Sequence, residues 1–118
     1  MKVHNFRELK VWQKSIESSK EIYNLTASFP KEEKYGLISQ IQRCSVSIPS
    51  NLAEGCGRNG TNKLKHFLTI SLGSSYELET QIILSKEFDY ITNEQKEQTI
   101  NQIQEIQRMI IGLYKSNI

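Results

Sequence analysis

Two histidines, two cysteines and a glycine-containing turn beside an arginine are the residues of this 118-residue chain whose types suit metal, thiol or phosphate chemistry. His4 and His66 both lack the glutamate three residues earlier that a di-iron helical bundle uses, and Lys63 stands at that place for His66. Cys44 and Cys56 are separated by twelve residues, which on a single helix is about 18 Å, whereas bridged Cα atoms lie within about 7 Å. An internal disulfide is excluded on that reading, and free thiols suit a reducing compartment. Gly55, Gly57 and Gly60 around Arg58 have the make-up of a phosphate cradle, and helix termination accounts for the same glycines equally well. The chain has no Cys-X-X-Cys pair, P-loop, dinucleotide-binding glycine motif or nucleophile elbow. No catalytic residue, metal ligand or cofactor-binding residue is assigned, and no enzyme activity is expected.

The basic residues are the stronger signal. Residues 1 to 65 hold eleven Lys/Arg against six Asp/Glu, and residues 66 to 118 hold four against seven, so the net charge of +2 conceals an uneven chain. Arg7, Lys10 and Lys14 are spaced along one face of the first predicted helix, and Arg58, Lys63 and Lys65 surround the central turn. These six are the candidates for nucleic-acid contact. Against them, a sequence pI near 8.5 and aromatic residues at core-like positions are weaker than a dedicated nucleic-acid module usually shows.

The elements that must position these residues are helical. Leu9, Trp12, Ile16 and Tyr23 recur at helical spacing and predict a first helix over about 6–27, with those four facing the core. Phe29-Pro30 interrupts the pattern. Tyr35, Leu37, Ile38, Ile41, Ile48 and Leu52 then carry a second helix through Pro49 to Gly55. A proline inside a helix removes one donor and costs about 3 kcal/mol, so a kink at Pro49 is expected, packed by the small residues Cys44, Ser45, Ser47, Ser50, Ala53 and Gly55. The Ser45 hydroxyl is placed to rebind a backbone group freed there. After the turn at 57–60, Thr61 reads as the cap of a third helix ending near Phe88. Thr92 and Gln95 read as a capping box opening the fourth, whose core line is Ile103, Ile106, Ile110 and Leu113. Short connections favour antiparallel neighbours, giving one all-α domain over 1–118, an up-down-up-down four-helix bundle with a proline kink in its second helix.

Some residues exceed what one bundle core needs. Leu64, Phe67, Leu78 and Ile82 make one stripe on the third helix, while Leu72, Tyr76 and Ile83 project roughly 100° away. Met109 and Ile111 similarly flank the core line of the fourth helix. A second surface is therefore expected to be covered by another copy of the chain. Arg43 and Glu77 would lie about one helical turn apart across the second and third helices, close enough for a buried ion pair with a structural role. Asn51 and Glu54, beside Pro49, are expected to cap the disturbed backbone or to touch a neighbouring subunit.

Phe6-Arg7-Glu8-Leu9, Val11-Trp12-Gln13-Lys14, Phe29-Pro30, Glu33-Lys34-Tyr35-Gly36-Leu37 and Gln40-Ile41-Gln42-Arg43 occur in an order that resembles the four-helix-bundle family of 23S rRNA intervening-sequence proteins. Ser47-Ile48-Pro49-Ser50-Asn51-Leu52-Ala53-Glu54-Gly55, Phe67-Leu68, Gly73-Ser74 and Glu77-Leu78-Glu79-Thr80 continue the likeness over about 110 residues. The pattern departs at Gln42-Arg43, where family members often carry two arginines. The resemblance implies a homo-oligomer assembled as a five-membered ring and encoded within a ribosomal RNA intervening sequence. The family is also similar to the accessory variability determinant proteins of diversity-generating retroelements, which partner a reverse transcriptase and nucleic acid. The expected function is a non-catalytic homo-oligomeric adaptor that associates with structured RNA, or with an RNA-binding protein, through basic residues. A scaffold ring that binds protein and no nucleic acid is the alternative. With charges at Lys2, Arg7, Glu8 and Lys10 and no long apolar run, a cytoplasmic location without membrane or metal partner is expected.

Overall fold

The computed structural model describes residues 5–116. Four helices account for most of them: α1 (Lys10–Thr26), α2 (Leu37–Cys56), α3 (Thr61–Glu87) and α4 (Asn93–Lys115), with single 3₁₀ turns at Phe6–Glu8 and Lys31–Glu33. Contacts between helices fix their directions. Ser19 and Gln42 tie α1 to α2 at Ser45 and Thr26, Ser71 and Ser74 meet Ile48 and Ser47, and Gln107 reaches Glu79 on α3 while Tyr114 lies beside Lys65. In each pair one number falls as the other rises, so successive helices are antiparallel. Lys14 pairs with Glu105, and further along α1 Glu21 and Leu25 line a groove with Gln95 and Gln102, so α1 and α4 run in opposite directions too. The 27 residues of α3, at 1.5 Å each, span about 40 Å and set the 46 Å long axis.

Aliphatic residues fill the centre: Ile41, Ile48 and Leu52 from α2, Leu64, Leu68, Leu78 and Ile82 from α3, and Ile103, Ile106 and Ile110 from α4 are all buried. The first helix contributes differently from the expectation. Its inward line is Val11, Ser15, Ser18, Ile22 and Thr26, whereas Ile16 and Tyr23 are exposed and Leu9 and Trp12 are half-buried at the core edge. Hydropathy passes over this line because most of its members are small alcohols. Burial is open to them because Ser15 donates to the Trp12 carbonyl at 2.8 Å and Thr26 to the Ile22 carbonyl at 3.0 Å.

Helix α2 continues through Pro49. The carbonyl left without its intrahelical donor is that of Ser45, four residues earlier, and the Ser19 hydroxyl of α1 donates to it at 3.0 Å. The Ser45 hydroxyl instead bonds back to Gln42 at 2.9 Å, so the repair comes from the neighbouring helix. The Ser71 hydroxyl reaches the Ile48 carbonyl at 2.6 Å, and Asn51 Nδ2 donates to the Ser47 carbonyl at 2.8 Å. Asn51 thus bonds back along its own helix, to a carbonyl other than the one Pro49 frees.

The helix ends show two further differences. Gly60, at φ +102°, occupies the cap of α3, a conformation that glycine adopts without steric cost, and Thr61 is the first helical residue. Gly55 lies inside α2, where an added Cβ would stand 2.9 Å from Phe67 Cβ and 3.1 Å from Leu64 Cδ1. It permits close approach of α2 and α3, so the notion of a phosphate cradle that includes Gly55 is withdrawn. The capping box of α4 is as expected, with Thr92 Oγ1 accepting from Gln95 N at 3.0 Å and Gln95 Oε1 from Thr92 N at 2.9 Å.

Candidate nucleic-acid interface

Antiparallel packing puts the start of α1, the α2–α3 turn and the end of α4 at one end of the bundle. Arg7, Lys10 and Lys14 come from the first segment, Arg58, Lys63 and Lys65 from the second, and Arg108 and Lys115 from the third. Divided at the helix midpoints, the described residues of this half carry eight Lys/Arg and four Asp/Glu, while the other half carries six and nine. The linear split of the chain had assigned Arg108 and Lys115 to the acidic half. Antiparallel return of α4 is what moves them, and the absence of any Asp or Glu from 106–116 is the sequence signal that points to them.

The six candidates differ in how they are held. The Lys14 ammonium pairs with Glu105 across α1 and α4, which holds the lysine above its ordinary pKa and the carboxyl below its own. Arg58 bridges to Glu54 at 2.9 Å, one turn back along the chain, and its guanidinium lies 5.3 Å from the Phe67 ring centre. The Glu54 carboxylate is thus engaged by a side chain rather than by the backbone it was expected to cap. Arg7 covers the Phe6 ring at 4.4 Å, and Lys65 lies 5.0 Å from the Tyr114 ring centre. Lys10 and Lys63 are exposed and make no ion pair among the described residues. The surface therefore combines two unengaged cations with four whose heads are steered by a carboxylate or a ring.

Arg43 and Glu77 line a shared groove of about 230 Å³ with Gln40, Cys44, Ser47 and Ser74, but both are exposed and no ion pair joins them. The expected buried pair is corrected on that point. Each lies on the solvent flank of its helix, and Glu77 instead accepts a long 3.4 Å bond from Gln81. Burial pushes the Cys44 thiol up to about 12, with the Glu77 carboxylate adding to the effect, and burial also raises Cys56. Both are free and buried in α2, and neither has the thiolate character that reactivity requires. Among the described residues no three His, Cys, Asp or Glu form a group able to hold a metal ion. No helix there is long and apolar enough to cross a membrane.

The outer face of α3 keeps the second stripe in view. Tyr76 and Ile83 are 49% and 41% exposed, and Leu72 on the same side is half-buried at the edge of the core, while the exposed Ile70 and Leu84 lie about 80° or more round the helix from that stripe. Met109 and Ile111 are half-buried beside the core line of α4.

These features define an all-helical bundle with a basic end and an uncovered apolar helix face. Residues 7–112 match the 23S rRNA-intervening sequence protein family, and the chain belongs to that family. A similar solved structure is that of a protein of unknown function from the S23 ribosomal protein family of Bacteroides thetaiotaomicron. It is 31% identical, with a TM-score of 0.84, covering 90% of this chain and 96% of that one. No curated protein matches.

Proposed function

We propose that this protein is a non-catalytic, homo-oligomeric adaptor that associates with structured RNA, or with an RNA-protein complex, through the basic end of its bundle. The observation that carries the reading is the gathering of Arg7, Lys10, Lys14, Arg58, Lys63 and Lys65 from two distant stretches of chain, joined by Arg108 and Lys115, at one end. A surface of this kind neutralises backbone phosphates, and its binding weakens as salt rises because counterions are released. Self-association is supported separately by Tyr76 and Ile83, which stand exposed on one side of α3. The family resemblance adds a five-membered ring as the assembly, which sedimentation velocity tests directly. Replacing Tyr76 and Ile83 with lysine is expected to shift the protein to monomer.

Fluorescence anisotropy with a structured ribosomal RNA fragment, duplex DNA and a scrambled RNA, at low and physiological salt, tests the RNA reading. Salt-dependent binding that is lost when Lys10, Lys14, Lys63 and Lys65 are changed to glutamate supports it. Unchanged affinity in that variant, or no binding to any of the three at physiological salt, sinks it. The scaffold that binds only protein would then take its place.

A further inference from the structure

The groove at Arg43 is a polar valley between α2 and α3, about 230 Å³ lined by Gln40, Arg43, Cys44, Ser47, Ser74 and Glu77. It lies on a different side of α3 from the self-association stripe, since Glu77 is set about 100° round the helix from Tyr76. Charge is sparse here: residues 37–50 and 70–85 contain Arg43, Glu77 and Glu79 and no other charged residue. Glu79 faces α4, where Gln104 and Gln107 hold it. One cation on the α2 wall thus opposes one anion on the α3 wall. Neither joins an ion pair among the described residues, and Glu77 is held only by a 3.4 Å bond from Gln81 Nε2 and by the neighbouring Cys44 thiol. Two further groups lack partners. Gln81 is buried and its Oε1 has no hydrogen bond, which is costly for a buried acceptor. Asn51 Nδ2 donates to Ser47 Oγ at 2.9 Å, and Ser47 and Ser74 share one bond at 2.8 Å, so one of their two hydroxyl hydrogens has no acceptor among the described residues.

Two opposed charges that sum to zero select a neutral occupant, because a phosphate chain or a strongly charged peptide gains nothing from them. What fits is a group with acceptors on one edge for the guanidinium and donors on the next for the carboxylate. Among the RNA bases guanine alone has both in pairs: O6 and N7 accept from an arginine, and N1–H and N2–H donate side by side. Adenine, cytosine and uracil each set an acceptor beside the donor that a carboxylate would meet, which is an unfavourable contact. We propose that this groove binds an unpaired guanine, with Arg43 donating to O6 and N7 and Glu77 accepting from N1–H and N2–H. The proposal deepens the RNA reading and rests on it for the source of the base. Cations at the bundle end hold backbone phosphates and carry no sequence information, whereas a base edge held in a groove does. From Arg43 to the end of α2 is about 20 Å, so a strand of a few nucleotides spans the groove and the turn at Arg58 and Lys63.

Titrations of the full chain with GMP, IMP and AMP, followed by amide shifts, test the groove itself, because the three share a phosphate and differ in the base edge. GMP is expected to shift Cys44, Ser47, Ser74 and Glu77. IMP, which lacks the N2 amino group, should bind about tenfold more weakly, the loss of one hydrogen bond to a charged group. Uridine hexamers carrying one guanosine, inosine or adenosine test the source, and anisotropy should rank guanosine about tenfold above the other two. Glu77→Gln should abolish that preference with the circular dichroism spectrum and the salt slope unchanged. Charge reversal of Lys10, Lys14, Lys63 and Lys65 should instead weaken all three hexamers alike and keep the ranking. If no hexamer binds, the RNA reading fails separately, and GMP preferred over IMP and AMP then upholds the groove with a free nucleotide as the source. Equal affinity for the three nucleotides, or for three hexamers that do bind, overturns the proposal, as does a titration that leaves these four amides unmoved. Displacement of GMP by glycine, which carries opposite charges without a ring, overturns it in favour of a zwitterion. Self-association by sedimentation that Glu77→Lys abolishes with the fold intact overturns it too, because another copy would then cover the groove.

Discussion

Pro49 deprives α2 of one amide hydrogen, and Ser19 supplies a substitute from α1. Ser19→Ala would leave the buried Ser45 carbonyl without that donor, and a loss of about 1–2 kcal/mol is expected by urea denaturation. The same substitution in a Pro49→Ala background should cost clearly less, because the restored amide then bonds to the Ser45 carbonyl. Equal losses in both backgrounds would show that the serine does not compensate for the proline. A second residue-level device lies at the other end of the bundle. Glu33 Oε2 accepts from the Tyr90 hydroxyl at 2.8 Å, and Oε1 accepts from Leu37 N at 3.1 Å. The Tyr90 bond, followed by the amide bond, holds the Glu33 carboxyl below its ordinary value. A carboxyl depressed by folding stabilises the protein above its unfolded pKa, and that contribution disappears as pH falls through the folded one. Tyr90→Phe is therefore expected to lower stability more at neutral pH than at about pH 3, well below the usual Glu range. Denaturation curves at the two pH values read this out, and a difference that does not shrink on acidification counts against the role of the pair.

At the level of elements, α2 and α3 approach closely where Gly55 meets Phe67 and Leu64. Alanine is the better helix former by about 1 kcal/mol, yet its Cβ would collide with the base of a side chain that cannot rotate away. Overpacking costs about 1–3 kcal/mol, so Gly55→Ala is expected to be net destabilising, by about 1–2 kcal/mol in a thermal or urea melt. An increase in stability would mean that the two helices separate freely. How far such elements were legible varied with what each helix buries. The aliphatic lines of α3 and α4, and the box made by Thr92 and Gln95, were readable because their periodicity and capping chemistry are local. The inward face of α1 was not, since Ser15, Ser18 and Thr26 resemble surface residues, and the bonds of Ser15 and Thr26 to their own helix show only in the structure. Arg43 and Glu77 show the opposite failure. Their spacing allowed a contact, but spacing along two helices does not say whether both side chains turn to solvent or to each other. Of the candidate interface, the six basic residues were legible one by one. Their meeting with Arg108 and Lys115 depended on the return direction of α4, which no local pattern states.

For the whole molecule, the unequal ends predict a kinetic effect. Reversing Lys10 and Lys63, which make no ion pair among the described residues, should slow association with RNA by roughly tenfold at low salt, within the range over which steering alters on-rates. The difference should narrow as salt rises and the screening length falls to about 8 Å at physiological ionic strength. Stopped-flow measurements over a salt series check this, and an effect confined to dissociation would argue against steering. One consequence of the up-down packing remains. Each helix carries its own macrodipole, but antiparallel neighbours oppose one another and their axial sum largely cancels. The long-axis moment of the bundle then comes from side-chain charge and is adjustable by substitutions that leave the core untouched. In a ring whose subunits pointed the same way along its axis, these moments would add, giving two chemically distinct rims. In an assembly of alternating subunits they would annul one another. The sense in which subunits stood beside each other would thus decide whether such a particle had a front and a back.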